Sequence, residues 1–168
     1  EVECLMSLYE QYLRSERQQL VDNNVRFRHI GRREGLHAAV LAELDGCAEV
    51  SAQNTGLTLC LALNYGSRQE IVDAVRSIAE DVADGSMKPG EVNESAIDSR
   101  LYTAGLPDPD LLIRTAGERR LSNFLLWQLS YAELWVTDTL WPDFRPADLH
   151  EALRDFAGRT RRYGAVVR

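Results

Sequence analysis

The fold is decided by residues 107–144, which read PDPDLLIRTAGERRLSNFLLWQLSYAELWVTDTLWPDF. The short apolar run 111–113 predicts a buried strand, and Ser122 is predicted to be the N-cap of an almost wholly apolar helix behind it. The turn between them therefore lies at a predicted helix N-terminus, where unpaired backbone N–H groups and the helix dipole favour an anion. Arg114, Arg119 and Arg120 add positive charge, so the pattern predicts a site for a multiply charged anion.

Two carboxylates, Glu118 and Glu133, lie within and after the basic turn. A carboxylate beside a phosphate cradle is what a Mg²⁺ ion that bridges protein and phosphate oxygens requires. A purely structural interpretation stays open beside this one. In that interpretation Arg114 pairs with Asp108 or Asp110. Glu118 then pairs with the arginines, and Glu133 belongs to a buried polar network.

The composition indicates one α/β domain over residues 1–168, because 45% of the residues are hydrophobic and can form a core. A net charge of −7 and a pI of about 5.0 argue against a nucleic-acid partner. No apolar run approaches the roughly 20 residues of a membrane-spanning helix, and no signal peptide is visible, so we expect a cytoplasmic protein. Cys4, Cys47 and Cys60 lack metal-ligand spacing and lie in apolar patterns, which predicts buried, reduced thiols.

Hydrophobic periodicity predicts helices and short strands in alternation. Helices are predicted over residues 1–22, 36–52, 67–82, 94–103 and 146–163, and strands over 25–30, 57–63, 111–113 and 134–136. The continuous apolar run 57–63 predicts a central parallel strand that is covered on both faces. The whole pattern predicts an open, mainly parallel sheet with flanking helices.

Several segments carry a resemblance to a known family. LLIRTAGERRLSNFLLWQ, YAEL and LWPDF occur in the order and spacing of the cis-prenyltransferases, the undecaprenyl diphosphate synthase family, and NTGLTLCLALNYGSR extends the match towards the first residue. The resemblance implies an undecaprenyl diphosphate synthase-like fold and a Mg²⁺-dependent transferase. Such an enzyme condenses isopentenyl diphosphate units onto an allylic prenyl diphosphate. Its product is a cis-polyprenyl diphosphate, of the undecaprenyl type that serves as lipid carrier for cell-wall synthesis.

The resemblance also assigns roles to residues of the basic turn. Arg114, Arg120 and Ser122 would hold the isopentenyl diphosphate, since guanidinium forks match phosphate oxygens. The backbone amide of Leu121 would assist them. Glu133 matches the metal ligand of the family and would place Mg²⁺ against the substrate diphosphate.

Two further functional regions follow from the resemblance. Arg162 lies in a segment similar to the family's C-terminal Arg-x-Gly element, which reaches the diphosphate site of a partner subunit, so a homodimer is expected. The first helix and the 57–63 strand would line the tunnel that holds the growing hydrocarbon. The candidate tunnel residues are Leu5, Leu8, Tyr9, Leu57 and Leu59. Peripheral membrane contact would serve product release.

Two elements of the family have no counterpart in this sequence. They are the Asp-Gly-Asn-Gly-Arg loop, which grips the allylic diphosphate and supplies the catalytic Asp, and a Ser-x-x-Asn-Trp-x-Arg segment. We therefore interpret the chain as the carboxyl-terminal portion of such an enzyme, with the amino-terminal strands missing and the catalytic Asp upstream of Glu1. Alone, it is expected to bind diphosphate weakly and to elongate no chain. The alternative is a non-catalytic accessory subunit, which would be expected to lose the basic residues that this chain retains.

Overall fold

The computed structural model describes residues 2–161, which form two compact units. The first unit runs to Ala104 and the second begins at Gly105. Each unit contains a pair of parallel strands with helical structure beside it. This arrangement confirms the predicted α/β class. Within the described residues, the strands form two separate pairs rather than one continuous sheet.

The first unit alternates helices and strands. In chain order its elements are α1 (Val2–Asp22), β1 (Arg26–Ile30), α2 (Ala38–Val50), β2 (Thr58–Ala62), α3 (Ser67–Ala83) and α4 (Glu94–Asp98), with a 3-10 turn at Pro89–Glu91. β1 and β2 are parallel, with Phe27 opposite Leu59 and Ile30 opposite Ala62. The periodicity therefore located these elements correctly, although α4 is shorter than the predicted helix 94–103. Between residues 2 and 161, no helix has the length and apolar character needed to cross a membrane.

The core of the first unit lies between α1, α2 and the strands. Leu13 and Leu20 of α1 pack with Val40, Leu44 and Cys47 in one buried cluster. These positions recur at helical spacing, so each helix contributes one apolar stripe. Full burial of an aliphatic side chain stabilises the folded state by about 1.5–3 kcal/mol.

A hydrogen-bonded network ties α3 to the segment after α4. Glu70 is fully buried and accepts hydrogen bonds from the Tyr65 hydroxyl and, at 2.8 Å, from the backbone amide of Tyr102. Asp73, one turn later, accepts two bonds from Arg32 at 2.7 and 2.9 Å and a third from the Tyr102 hydroxyl. The Arg32 guanidinium lowers the pKa of Asp73 because it stabilises the charged carboxylate. These bonds fix the orientation of α3.

The second unit is built on the other strand pair. Its elements are β3 (Leu111–Arg114), β4 (Glu133–Val136), a 3-10 turn at Trp141–Asp143 and α5 (Pro146–Ala157). β3 and β4 are parallel, so that Leu111 lies opposite Glu133 and Arg114 lies opposite Val136. α5 begins at a proline, as predicted. It ends at Ala157 and not at residue 163, because Gly158 forms its C-cap.

The apolar helix predicted behind Ser122 is wrong. Residues 122–131, all of which the structure describes, form turns and bends between β3 and β4. Ser122, Asn123 and Leu125 have φ values of +52°, +62° and +45°, which a right-handed helix cannot contain. Ser122 therefore caps no helix. Leu125 and Leu129 are nevertheless buried, so the apolar run still contributes to the core of the unit.

The prediction that the 57–63 strand is covered on both faces is also wrong for this chain. Leu57 is 72% exposed and Leu59 is 46% exposed. β1 pairs with one edge of β2, and no other strand in the described part of the chain pairs with its second edge. The apolar run therefore predicted a strand correctly, but it did not predict that part of this strand is exposed.

The cysteines provide a direct test of burial. Cys4 is exposed, contrary to the prediction, whereas Cys47 is buried and donates a hydrogen bond to the Leu13 carbonyl at 3.3 Å. Burial raises the thiol pKa of Cys47 and of the half-buried Cys60, so less thiolate forms at a given pH.

With iodoacetamide at about pH 8, we expect Cys4 to be alkylated first and Cys47 last, as followed by peptide mass spectrometry. In denaturant the three rates should converge. Equal rates of Cys4 and Cys47 in the native protein would contradict the structure.

Candidate functional site

The turn that follows β3 is held by backbone hydrogen bonds to the segment that follows β4. The amide of Ala116 donates to the Thr139 carbonyl, and the amide of Gly117 donates to the Thr137 carbonyl, both at 2.9 Å. The amide of Thr137 in turn donates to the Arg114 carbonyl at 2.9 Å. Because β3 and β4 are parallel, the chain leaves both strands at the same end of the sheet. The two segments therefore lie side by side and are held together by these hydrogen bonds. The basic turn is therefore a fixed structure.

Gly117 is required by the shape of this turn. Its φ is +65°, and a Cβ added there would lie 2.9 Å from Oδ1 of Asp138. The preceding Ala116 also has a left-handed φ of +59°. Two successive left-handed residues reverse the chain sharply, and a Cβ at the second of them would require the Asp138 side chain to shift. This reversal places Glu118 next to Arg114.

Two guanidinium groups share the carboxylate of Glu118. Nη2 of Arg114 lies 3.8 Å from Oε2 of Glu118, and Nη1 of Arg120 forms a close ion pair with the same oxygen. These contacts are electrostatic, because neither has the geometry of a hydrogen bond to that oxygen. The buried Nε–H of Arg114 also has no hydrogen-bond acceptor. The site thus has one positive charge in excess and an unused donor, which favours an anionic ligand with several acceptor oxygens.

Leu121 and Ser122 follow on the exposed side of this turn. The carbonyl of Leu121 accepts a bond from the amide of Phe124 at 3.1 Å, which closes a turn rather than a first helical turn. Since no helix begins at Ser122, the predicted contribution of a helix dipole is removed. Any anion affinity here comes from the guanidinium groups and the local N–H donors.

Glu133 lies at the opposite end of the strand pair from Arg114. Arg114 is the last residue of β3 and Glu133 is the first of β4, so the register separates their backbones by three residues, or roughly 10 Å. Oε2 of Glu133 accepts a hydrogen bond from Nη1 of Arg159 at 2.8 Å. This bond is the main reason that the pKa of Arg159 is raised. The polar-network interpretation of Glu133 therefore agrees with the observed contact.

The donor set at Glu133 restricts the kind of metal site that it can form. Over residues 2–161, no group of three or more His, Cys, Asp or Glu side chains is placed to hold a metal ion. A closed protein site is thus not present in that range. Mg²⁺ commonly takes only one or two protein carboxylates and completes its shell with substrate phosphates and water. Glu133 fits that second arrangement, as a single ligand to an ion that is shared with a phosphate.

The candidate tunnel residues lie in the first unit, on its exposed surface. Leu5 and Leu8 of α1 are exposed, and Tyr9 is half-buried against the core cluster. Leu57 and Leu59 are exposed along β2. The four leucines are therefore apolar surface that an occupant can cover, whereas Tyr9 also packs against the core. Arg162 lies outside the described residues.

Sequence reasoning missed the residues that surround Glu133. Arg159 and Arg161 lie beyond α5 and pair with Glu133 and Asp110, 26 and 51 residues away in the sequence. No spacing in the sequence signals contacts of this range. The sequence shows only that each segment carries two like charges separated by one uncharged residue. These are Asp-Pro-Asp at 108–110 and Arg-Thr-Arg at 159–161.

These features define a class, an α/β protein with an arginine-rich turn at the carboxyl end of a strand, suited to a phosphate-bearing ligand. Comparison with known proteins gives the family. Residues 1–164 match the family model described as "Putative undecaprenyl diphosphate synthase". The chain is 48% identical to an isoprenyl transferase of Geobacter sulfurreducens over 98% of the chain, and 49% identical to one of Rhodopirellula baltica over 99%.

A solved structure supports the same assignment. The lavandulyl diphosphate synthase from Lavandula x intermedia, in complex with dimethylallyl diphosphate, superposes with a TM-score of 0.95 at 40% identity, over 98% of this chain and 71% of that one. The chain therefore belongs to the undecaprenyl diphosphate synthase family of prenyltransferases, as the sequence motifs predicted. It spans about two thirds of the isoprenyl transferases it matches, from 64% to 68% of their length in the first three.

The shape of the basic turn can be tested by a single methyl group. Gly117→Ala adds a Cβ at a left-handed φ against Asp138, so we expect a loss of about 1–2 kcal/mol in the free energy of unfolding, measured with urea. Gly90→Ala is the matched control, because nothing lies within 4 Å of an added Cβ there. Equal effects of the two substitutions would show that the turn is not constrained as described.

Proposed function

We propose that this chain carries the isopentenyl diphosphate site of a cis-prenyltransferase of the undecaprenyl type. The complete reaction joins isopentenyl diphosphate to an allylic prenyl diphosphate, with loss of one diphosphate and one proton. The observation that carries the proposal is the cluster of Arg114, Arg120 and Glu118. There, two guanidinium groups face one carboxylate and the buried Nε–H of Arg114 lacks an acceptor.

The proposed work of these residues is binding and orientation. A diphosphate offers enough oxygens to accept from the Arg114 Nε–H and from the Arg120 guanidinium at the same time. Ser122 and the Leu121 amide lie next in the chain, on the exposed side of the turn, and are proposed as further donors. Fixing the diphosphate fixes the hydrocarbon end of the substrate, and correct placement of two reactants supplies much of the catalysis in such transfers.

Mg²⁺ is the proposed cofactor, with Glu133 as its protein ligand. When bound, the ion would neutralise diphosphate charge. The backbones of Glu133 and Arg114 lie roughly 10 Å apart. We therefore propose that the two residues contact different parts of the bound substrates and metal ion, or substrates bound in different subunits. Arg162 is proposed to contact the diphosphate held by a partner subunit.

Other parts of the proposal concern the assembled protein. Residues 1–168 are proposed to form one domain, since a single family model covers residues 1–164 across both compact units. The second unit exposes Trp141 (72%) and Leu140 (56%), apolar surface that supports a homodimer. We propose a cytoplasmic location, with peripheral membrane contact for product release. Leu5, Leu8, Tyr9, Leu57 and Leu59 are proposed to contact the hydrocarbon chain.

The allylic substrate is proposed on narrower grounds. The lavandulyl diphosphate synthase structure contains dimethylallyl diphosphate, which is an allylic diphosphate of the same class. The Asp-Gly-Asn-Gly-Arg loop does not occur in this sequence, so we propose that the 168-residue chain alone binds diphosphate without elongating a prenyl chain. A purely accessory role is less well supported, because Arg114, Arg120, Ser122 and Glu133 are all present.

The diphosphate site can be tested by titration calorimetry with isopentenyl diphosphate. Arg114→Ala and Arg120→Ala should each raise the Kd by about 10- to 100-fold, since a charge-assisted hydrogen bond contributes about 1.5–3 kcal/mol. The corresponding Lys variants should recover only part of this loss, because an ammonium group cannot reproduce the guanidinium fork. Arg154→Ala removes a charge from the exposed surface of α5 and should leave the Kd unchanged. The proposal fails if the Arg114 and Arg154 variants bind equally well.

The metal role of Glu133 can be tested in the same titration, with and without Mg²⁺. In the wild-type chain we expect Mg²⁺ to lower the Kd for isopentenyl diphosphate by about tenfold, and EDTA to abolish this gain. Glu133→Gln should remove the gain while leaving the melting temperature nearly unchanged, because a partly exposed ion pair contributes little to stability. Asp155→Asn is the control, since it breaks the other ion pair of Arg159 and spares Glu133. A full Mg²⁺ gain in Glu133→Gln would remove Glu133 from the metal site.

A further inference from the structure

The backbone bonds between β1 and β2 show which peptide groups of β1 the sheet uses. The amide of Arg26 donates to the Leu57 carbonyl at 2.8 Å, and the Ile30 carbonyl accepts from the amide of Leu63 at 3.1 Å. In a parallel pair, alternate residues of a strand bond to the same neighbour. The residues between them therefore present their backbone groups on the opposite side, hereafter the outer edge of β1.

Two N–H donors and two C=O acceptors point away from β2 on the outer edge. The donors belong to His29 and Gly31, and the acceptors belong to Phe27 and His29. The N–H of Phe27 points the same way but is already used, because it donates to the buried hydroxyl of Ser51 at 2.9 Å. Among residues 2–161, no strand pairs with this edge. An extended backbone is the ligand whose donors and acceptors match such an alternation.

A cavity of about 390 Å³ lies beside the outer edge, within the first unit. Residues 27–31 line it together with Leu44 and Ala48 of α2 and with Tyr102. Leu44 is fully buried, and the Tyr102 hydroxyl donates to Asp73, so both walls of the cavity are held in place. Its volume lies within the usual range for ligand pockets. The edge therefore has free space beside its unused backbone groups.

The charges of this cavity favour an acidic occupant. Its lining includes two arginines, Arg28 and Arg33, and one aspartate, Asp45. Arg33 forms an ion pair with Asp45 at 2.7 Å. Both Nη atoms of Arg28 instead donate to the Ala104 carbonyl, at 3.1 and 3.2 Å. Because a carbonyl carries no net charge, these bonds leave the positive charge of Arg28 in place for an acidic side chain.

We propose that the outer edge of β1 is a docking site for an extended acidic segment of a partner protein, which adds to the sheet of the first unit as a third strand. Successive residues of β1 face opposite sides of the sheet. Apolar side chains of the segment therefore pack on the side of Phe27, and the acidic side chains that alternate with them lie on the side of Arg28. A second copy of this edge is a poor occupant, because it would bring Arg26 and Arg28 against the same arginines.

The strand addition is tested by NMR with the blocked peptide acetyl-Val-Glu-Val-Glu-Val-amide. In the free chain, the amides of His29 and Gly31 should exchange with D₂O faster than the amide of Arg26, which is bonded to β2. Saturating peptide should slow the exchange of His29 and Gly31 by about fivefold or more and leave that of Arg26 unchanged. Protection of His29 and Gly31 before peptide is added, or unchanged exchange at about 1 mM peptide, would overturn the docking site.

Methylation of the peptide backbone separates strand addition from binding through side chains alone. One peptide carries N-methyl groups on both glutamates, and the other carries them on the second and third valines, so each lacks the N–H donors of one edge. The peptide that is methylated on the edge facing β1 should bind about tenfold more weakly or worse, because its N–H donors to the Phe27 and His29 carbonyls are lost. Unweakened binding of both methylated peptides would overturn strand addition.

The charge preference is tested with the peptide acetyl-Val-Lys-Val-Lys-Val-amide and with variants of Arg28. The lysine peptide should bind the wild-type chain more weakly than the glutamate peptide, and Arg28→Glu should reverse that order. Arg28→Gln should weaken binding of the glutamate peptide by about fivefold, whereas Arg28→Lys, which keeps the charge, should retain most of it. Arg76→Gln removes an equal charge from the exposed surface of α3 and is the control. Equal affinity of the two peptides for the wild-type chain, or equal effects of Arg28→Gln and Arg76→Gln, would remove Arg28 from the site and overturn the acidic preference.

Discussion

The parallel register of β3 and β4 is the constraint on which the candidate site depends. With Arg114 opposite Val136, the turn behind β3 lies beside the segment behind β4, and the backbone bonds of Ala116, Gly117 and Thr137 can form. The same register brings Asp110 and Glu133 together at the other end, where Arg161 and Arg159 pair with them. A slip by one residue would turn every side chain of a strand to the opposite face and would dismantle both clusters.

The two ends of this strand pair differ in how their charges are balanced. At the carboxyl end, Arg114 and Arg120 share the carboxylate of Glu118, which leaves positive charge and an unused N–H donor. At the amino end, Glu133 and Asp110 each have an arginine partner of their own. In the described part of the second unit, the excess positive charge therefore lies at the carboxyl end of the strand pair.

Patterns within short stretches of the sequence predicted the helices and strands that depend on residues close together in the chain. The periodicity of α1 and α3, the proline that begins α5 and the order of the strands are all confirmed. The helix behind Ser122 could not be excluded in this way, because its residues are acceptable in a helix and only the positive φ values show the chain turning away. The 51-residue separation between Asp110 and Arg161 is likewise invisible before folding. The sequence shows which charged residues the basic turn contains, whereas the geometry of the turn and its contacts depend on the folded chain.

The contact between Glu133 and Arg159 limits how the proposed metal ion can bind. A carboxylate has about four lone-pair sites, so a bond from Arg159 to Oε2 does not by itself prevent a metal from contacting the other oxygen. The guanidinium charge of Arg159 nevertheless repels a bare Mg²⁺ ion that contacts Glu133. Mg²⁺ also loses its water ligands reluctantly, which further opposes binding of the ion alone. A diphosphate removes this repulsion, because its negative charge is attracted to the arginine and the ion alike. The metal is therefore expected to bind together with substrate rather than before it, and Mg²⁺ alone should give no measurable heat in a titration of the free chain.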